Sequence, residues 1–78
     1  MVKIYTAPNC PYCRKVKTYL DMNNIIYDDI NVVQNKEERE EMIKLSGQQS
    51  VPVVNIDGKI ILGFNKFAID SALAEINK

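Results

Sequence analysis

Two cysteines, Cys10 and Cys13, are the only thiols in the 78-residue sequence, and both fall in the run NCPYCRKVK. A thiolate is a nucleophile, a redox centre or a metal ligand, so the pair is the natural place to look for chemistry. Structural reinforcement is a poor account of it. A crosslink stabilises more as the loop it closes lengthens, and a four-residue ring is worth only about 2 kcal/mol before strain is subtracted. Zinc needs about four ligands, and with no histidine and no third cysteine this chain assigns no metal site of its own. Two chains pooling their thiolates, or using glutathione, around a cluster remain an alternative of a different class. Dithiol-disulfide exchange is the leading reading.

Position separates the two sulfurs. Cys10 falls in a loop at the mouth of a helix that begins at Pro11, whereas Cys13 falls in its first turn and on its apolar stripe with Val16, Leu20 and the flanking Tyr19. The first backbone N–H groups of a helix lack partners within it and carry partial positive charge, so they stabilise an anion placed there. A thiolate on Cys10 is expected to gain from this, its pKa falling from about 8.5 into the range of roughly 3.5 to 7.5 seen for such motifs. Arg14, Lys15 and Lys17 add cations nearby, and Pro11 suits a first turn because its missing N–H would be orphaned anyway. Exposed Cys10 then attacks a substrate disulfide, and buried Cys13 resolves the mixed disulfide.

The elements that must position this pair can be read on either side of it. Val2 to Tyr5 is a short β-prone run before Pro8, and the helix from Pro11 ends near Asn23 and Asn24. IIYDDINV, from Ile25 to Val32, reads as a second strand, parallel to the first and reached by a right-handed crossover. Asn35 with Glu38 three residues on resembles a capping box, opening a helix that stops before Gly47; its KEEREE run reads as a solvated face. In VPVVNIDGKIILG, Asp57-Gly58 joins two apolar runs as a hairpin. A last helix carries Ile69, Ala72, Leu73 and Ile76, with Asn65 as its cap and Phe64 placed to staple onto Ile69. The order is βαβ, α, ββα, an α/β fold.

Composition narrows the setting. Apolar residues make up 46% of the chain, enough for one core at this length, and residues 1–78 form a single domain. Ten basic and ten acidic side chains cancel, so no global field holds the chain on nucleic acid or an anionic membrane. The start MVKIYT lacks the apolar run of a secretion signal, and no stretch is long and apolar enough to span a bilayer. A cytoplasmic location follows as the expectation, where thiols are kept reduced and a close pair is more often catalytic than structural. A monomer is expected.

The sequence resembles the glutaredoxins over essentially its whole length. CPYC at 10 to 13 matches that family's dithiol site, YTAPNCPYC matches the strand, loop and helix that carry it, and SVPVVNIDGKII is similar to its TVP segment and hairpin. The resemblance implies a thioredoxin fold, β-α-β-α-β-β-α, with a four-stranded mixed sheet in the order 2-1-3-4, helices one and three on one face and helix two on the other. It also implies a cis bond at Val51-Pro52, facing the cysteines and leaving the Val51 backbone free to pair with a substrate. Supporting roles fall to Pro11, Tyr12, Arg14 and Pro52, and glutathione contacts to Tyr12, Gln48, Val51, Pro52, Gly63, Phe64, Asn65 and Lys66. Glutathione enters as co-substrate, with no permanently bound cofactor, and disulfide-containing proteins as partners.

Three departures bear on that expectation. The family's usual basic residue three positions before the first cysteine is Ala7, a second basic position is Gln48, and the GG-x-DD segment is replaced by Leu62, Gly63, Phe64, Asn65 and Lys66. Each lost charged hydrogen bond removes roughly 1.5 to 3 kcal/mol from glutathione binding. The GF before the last helix and the PVV after the proline also resemble redoxins that serve ribonucleotide reductase and take electrons from thioredoxin reductase.

Overall fold

The computed structural model describes residues 2–76. Seven elements follow in the order β1 (Val2–Thr6), α1 (Pro11–Met22), β2 (Asp28–Asn31), α2 (Lys36–Ser46), β3 (Val53–Ile56), β4 (Lys59–Leu62) and α3 (Lys66–Ile76). The sheet order is β2-β1-β3-β4, with β1 and β2 parallel and the β1-β3 and β3-β4 pairs antiparallel. This is the thioredoxin fold that the resemblance implies.

Alternation along the central strands builds two cores, one on each side of the sheet. Val2 and Ile4 of β1, with Val54, Ile56 and Ile61, turn toward Val16 and Leu20 of α1 and Ile69, Ala72 and Leu73 of α3. Tyr5 and Val53 face the other way, onto Met42 of α2. Helices α1 and α3 therefore share one face and α2 covers the other. A central strand covered on both sides reads as an apolar run, as β1 and β3 do here.

Caps set the helix limits. Asn35 Oδ1 accepts from the Glu38 N–H at 3.3 Å, and Gly47 closes α2 in a left-handed conformation at φ 72°. The capping box is only half made: the Asn35 N–H donates to the Asn31 carbonyl at 3.1 Å, and Glu38 Oε2 is buried with no partner among the described residues. The second strand is shorter than the span from Ile25 to Val32. Asn24 turns at φ 57°, and the Ile25 N–H donates back to the Leu20 carbonyl at 2.9 Å, so the chain leaves the helix through an irregular segment at residues 25 to 27 before the strand begins. At the far end Asn31 Oδ1 accepts from the N–H groups of Val33 and Gln34 at 2.9 and 3.2 Å, an Asx turn that stops the ladder.

One polar link ties the helix that carries the cysteines to two strands. Buried Thr6 donates to Asp29 Oδ1 at 2.6 Å, and Lys17 of α1 pairs with Asp29 Oδ2 at 2.9 Å. Burial pushes the Asp29 carboxyl up, but the hydrogen bonds from Thr6 and Lys17, with the lysine charge, outweigh it and hold the group below its ordinary value. A carboxylate depressed in the folded state contributes stability above its unfolded pKa and loses it as pH falls through the folded one. Asp29→Asn is accordingly expected to lower the thermal midpoint at neutral pH, and the gap from the wild type should narrow once pH drops below about 4, where free aspartate itself protonates. Thermal melts across that range, at low salt, check this.

Candidate active site

The strand registers bring three loops to one end of the sheet. Tyr5 pairs with Val53 and Val53 with Leu62, so the segments after Thr6, before Val53 and after Leu62 lie side by side. They carry Cys10, the Val51-Pro52 bond and the turn from Gly63 to Lys66. The Gly63 N–H donates to the Pro52 carbonyl at 2.9 Å, extending the β3-β4 ladder one rung past its strands. Gly63 sits at φ 69°, a conformation that a side chain would strain. Val51-Pro52 is cis, as expected, and Pro52 is buried.

The cysteine loop leaves β1 through Ala7, Pro8 and Asn9, the last at φ 59°, where asparagine is among the residues most tolerant of the left-handed region. Cys10 is the N-cap of α1 in extended conformation, and Pro11 opens the helix. Cys10 Sγ accepts a hydrogen bond from the Cys13 N–H at 3.2 Å, and the Arg14 N–H donates to the Cys10 carbonyl, also at 3.2 Å. The two cysteines are joined as a disulfide with their Cα atoms 5.2 Å apart. Burial separates them: Cys13 is 1% exposed while Cys10 is half-buried at the helix mouth. The helix N-terminus thus directs an N–H at the Cys10 sulfur, an arrangement that in general favours a thiolate.

The cations divide. Lys15 Nζ lies 5.0 Å from the ring centroid of Tyr12, itself 59% exposed beside the pair, and Arg14 is exposed. Lys17 does not add to the positive field as its sequence position suggests, because its charge is engaged by Asp29. Gln48 is likewise turned onto its own loop: its Nε2 donates to the Ser50 carbonyl at 3.4 Å, bracing the segment just before Val51, and its N–H donates to Ser46 Oγ at 3.3 Å. Asn65 caps α3 as expected, accepting from the Ala68 N–H at 3.1 Å. The remaining N–H groups of that first turn belong to Lys66 and Phe67, and an α-helix offers them no partner.

Tyr19 is the residue whose role the sequence did not disclose. On α1 it reads as a flank of the apolar stripe, yet its hydroxyl donates to Asp70 of α3, its ring meets Phe64 edge-on at 6.1 Å between centroids, and Lys66 Nζ sits 5.5 Å above it. The hydrogen bond to Asp70, followed by burial, raises the Tyr19 hydroxyl above its usual pKa. One side chain thus holds the Gly63-Lys66 turn against α1. Phe64 has its ring contact there, on Tyr19, and Ile69 is fully buried in the core.

A cysteine pair capping a helix beside a cis-proline loop, on a four-stranded mixed sheet, defines a thiol-disulfide redox protein of the thioredoxin fold. Residues 2–61 match the family model named Glutaredoxin, and the chain belongs to the glutaredoxin family. It is 55% identical over 73 residues to an uncharacterized glutaredoxin-like 8.6 kDa protein in the rubredoxin operon of Clostridium pasteurianum, covering 94% of this chain and 97% of the relative. Glutaredoxin 3 of Escherichia coli K12 is 38% identical over 71 residues, covering 90% and 86%. Among solved structures, the thioredoxin-like protein BC3987 superposes with a TM-score of 0.86 at 30% identity, over 92% of this chain and 99% of that one. No helix among the described residues is long and apolar enough to cross a membrane.

Of the two sulfurs, the Cys10 sulfur belongs to the more exposed residue and receives the helix N–H. In the reduced protein, alkylation near pH 6 followed by mass mapping is expected to label Cys10 and spare Cys13, because only Cys10 joins exposure to the helix donors. Preferential labelling of Cys13 reverses the assignment.

Proposed function

We propose that this protein reduces protein disulfides and glutathione mixed disulfides, with glutathione as the reductant. The observation that carries the reading is the Cys10 sulfur capping α1, half-buried, with Cys13 buried one turn behind it. The Cys10 thiolate attacks one sulfur of the substrate disulfide; that S–S bond breaks, and the departing sulfur takes a proton. Cys13 loses its proton and attacks Cys10 Sγ, forming the internal disulfide and freeing the second substrate thiol. Two electrons have passed to the substrate. Two glutathione molecules return them and leave as glutathione disulfide.

Glutathione fits the groove between Tyr12, the Val51 backbone and the turn from Gly63 to Lys66. Val51 offers main-chain pairing, and the N–H groups opening α3 at Lys66 and Phe67, with Asn65 already committed as cap, suit the γ-glutamyl carboxylate. Lys66 over the Tyr19 ring is free to lean toward that carboxylate, since an exposed cation-π contact is worth only about 0.5 to 1 kcal/mol.

A second reading within the same chemistry is a redoxin reduced by thioredoxin reductase and serving ribonucleotide reductase. Ala7 and Gln48 favour it, because neither supplies a cation for a glutathione carboxylate and the Gln48 amide is engaged within its loop. Rates of reduction of the oxidised protein by glutathione and by a thioredoxin reductase, compared directly, decide between the two.

Two substitutions test the scheme further. Cys13→Ser is expected to keep activity on glutathione mixed disulfides, where a second glutathione resolves the intermediate, and to lose most activity on protein disulfides. Equal loss in both assays contradicts separate roles for the two sulfurs. Ala7→Lys is expected to raise kcat/KM for glutathione-dependent reduction of a mixed disulfide toward tenfold, the equivalent of ~1.4 kcal/mol. The gain should shrink as salt screens the new charge. Gln48→Arg should act in the same direction by less, because it also gives up the bond to Ser50.

A further inference from the structure

The glutathione groove leaves one face of α1 unused. Pro11, the adjacent pair Arg14 and Lys15, Thr18 and Met22 lie on one face of the helix at steps of three and four, and Phe64 stands across from them, enclosing an open groove of about 490 Å³. Its surface is mainly apolar: Met22 is 76% exposed and Phe64 is partly exposed. Two cations line it and no carboxylate does. In a chain whose charges cancel, that is a local excess rather than a general property. Tyr19 in its wall already has its hydroxyl committed to Asp70.

The groove is continuous with the reactive end. Pro11 follows Cys10 directly, and from there to Met22 the helix runs about 16 Å at 1.5 Å per residue, the reach of roughly five extended residues. Glutathione, a tripeptide placed between Tyr12, Val51 and the Gly63 turn, has no use for it. A polypeptide disulfide captured by Cys10 carries chain beyond its cysteine, and that chain must lie somewhere.

We propose that this groove docks the segment flanking the disulfide of a protein substrate, and that it selects a segment with apolar residues for Met22 and Phe64 and carboxylates for Arg14 and Lys15. The proposal rests on the exchange chemistry given above and adds the substrate class. Charge complementarity favours that occupant over a second copy of this chain, which would bring the same cations to the same groove.

The experiment uses three disulfides: a short disulfide-linked peptide with a flank of alternating glutamate and leucine, the same peptide with lysine for glutamate, and a small glutathione mixed disulfide. The wild type, Thr18→Glu and Met22→Glu are compared; both positions are exposed and lie outside the sulfur and glutathione sites. The wild type should reduce the acidic peptide with a kcat/KM about tenfold above that for the basic one, ~1.4 kcal/mol of discrimination. Thr18→Glu and Met22→Glu each leave the groove one net positive charge in place of two and should each narrow the preference severalfold, and all three proteins should treat the small mixed disulfide alike. Equal wild-type rates on the two peptides, or unchanged preference in both variants, overturn the proposal. So does a wild-type dimer in solution that either variant dissolves, which would give the groove to a second copy. Failure of the wild type on all three substrates points instead to the exchange reading itself.

Discussion

The hydrogen bond from the Cys13 N–H to Cys10 Sγ makes a sulfur serve as a helix cap, and most of what surrounds it exists to keep that geometry. A cap must sit in extended backbone just outside the helix, so the chain between β1 and α1 has to bend sharply, through Asn9 at positive φ and Pro11 at the first helical position. The helix must then be fixed relative to the strand it left. Val16 and Leu20 do this by burial against Ile4 and Val54, and Lys17 does it through Asp29 and Thr6. With α1 held, the sulfur it caps is held as well. The cysteine buried one turn behind stays within reach because the same helix carries both.

The remaining walls of the site follow from the sheet. Antiparallel pairing of β3 with β1 and β4 sets the Val51-Pro52 bond and the Gly63 turn beside the cysteine loop without any need for the loops to find each other. The bond from Gly63 to Pro52 joins those two walls, and Tyr19 ties the second of them to α1. The cysteine end of the sheet is therefore braced by backbone on one side and by an aromatic side chain on the other.

Much of this was legible in the sequence. The cysteine spacing, Pro11, the Asp57-Gly58 hairpin and the caps at Asn35 and Asn65 are local signals, and local signals survive folding when nothing contradicts them. The limits of β2 were misread because Ile25 and Tyr27 are apolar for reasons of packing on the α1-α3 core, while Ile26 between them is exposed. Apolar residues in a row cannot say whether they pair or merely pack. The partners of Lys17, Tyr19 and Gln48 were invisible for a different reason: Asp29 and Asp70 lie 12 and 51 residues away, and no periodicity links them. Gln48 looked like a vacant basic position, and only its turn toward Ser50 shows that the amide has local work.

The placement of charge on the two faces of the sheet has a consequence for how the molecule meets others. Arg14 and Lys15 stand exposed at the cysteine end of α1, while α2, across the sheet, interleaves Glu37, Glu38, Glu40 and Glu41 with Lys36, Arg39 and Lys44. The total is zero, so distant attraction to any partner is weak. Charges of mixed sign along α2 largely cancel one another, whereas no carboxylate lines the groove beside Arg14 and Lys15, and their field reaches about one Debye length, ~8 Å in physiological salt. Charge therefore acts on an approaching molecule at the cysteine end only over the last few ångströms.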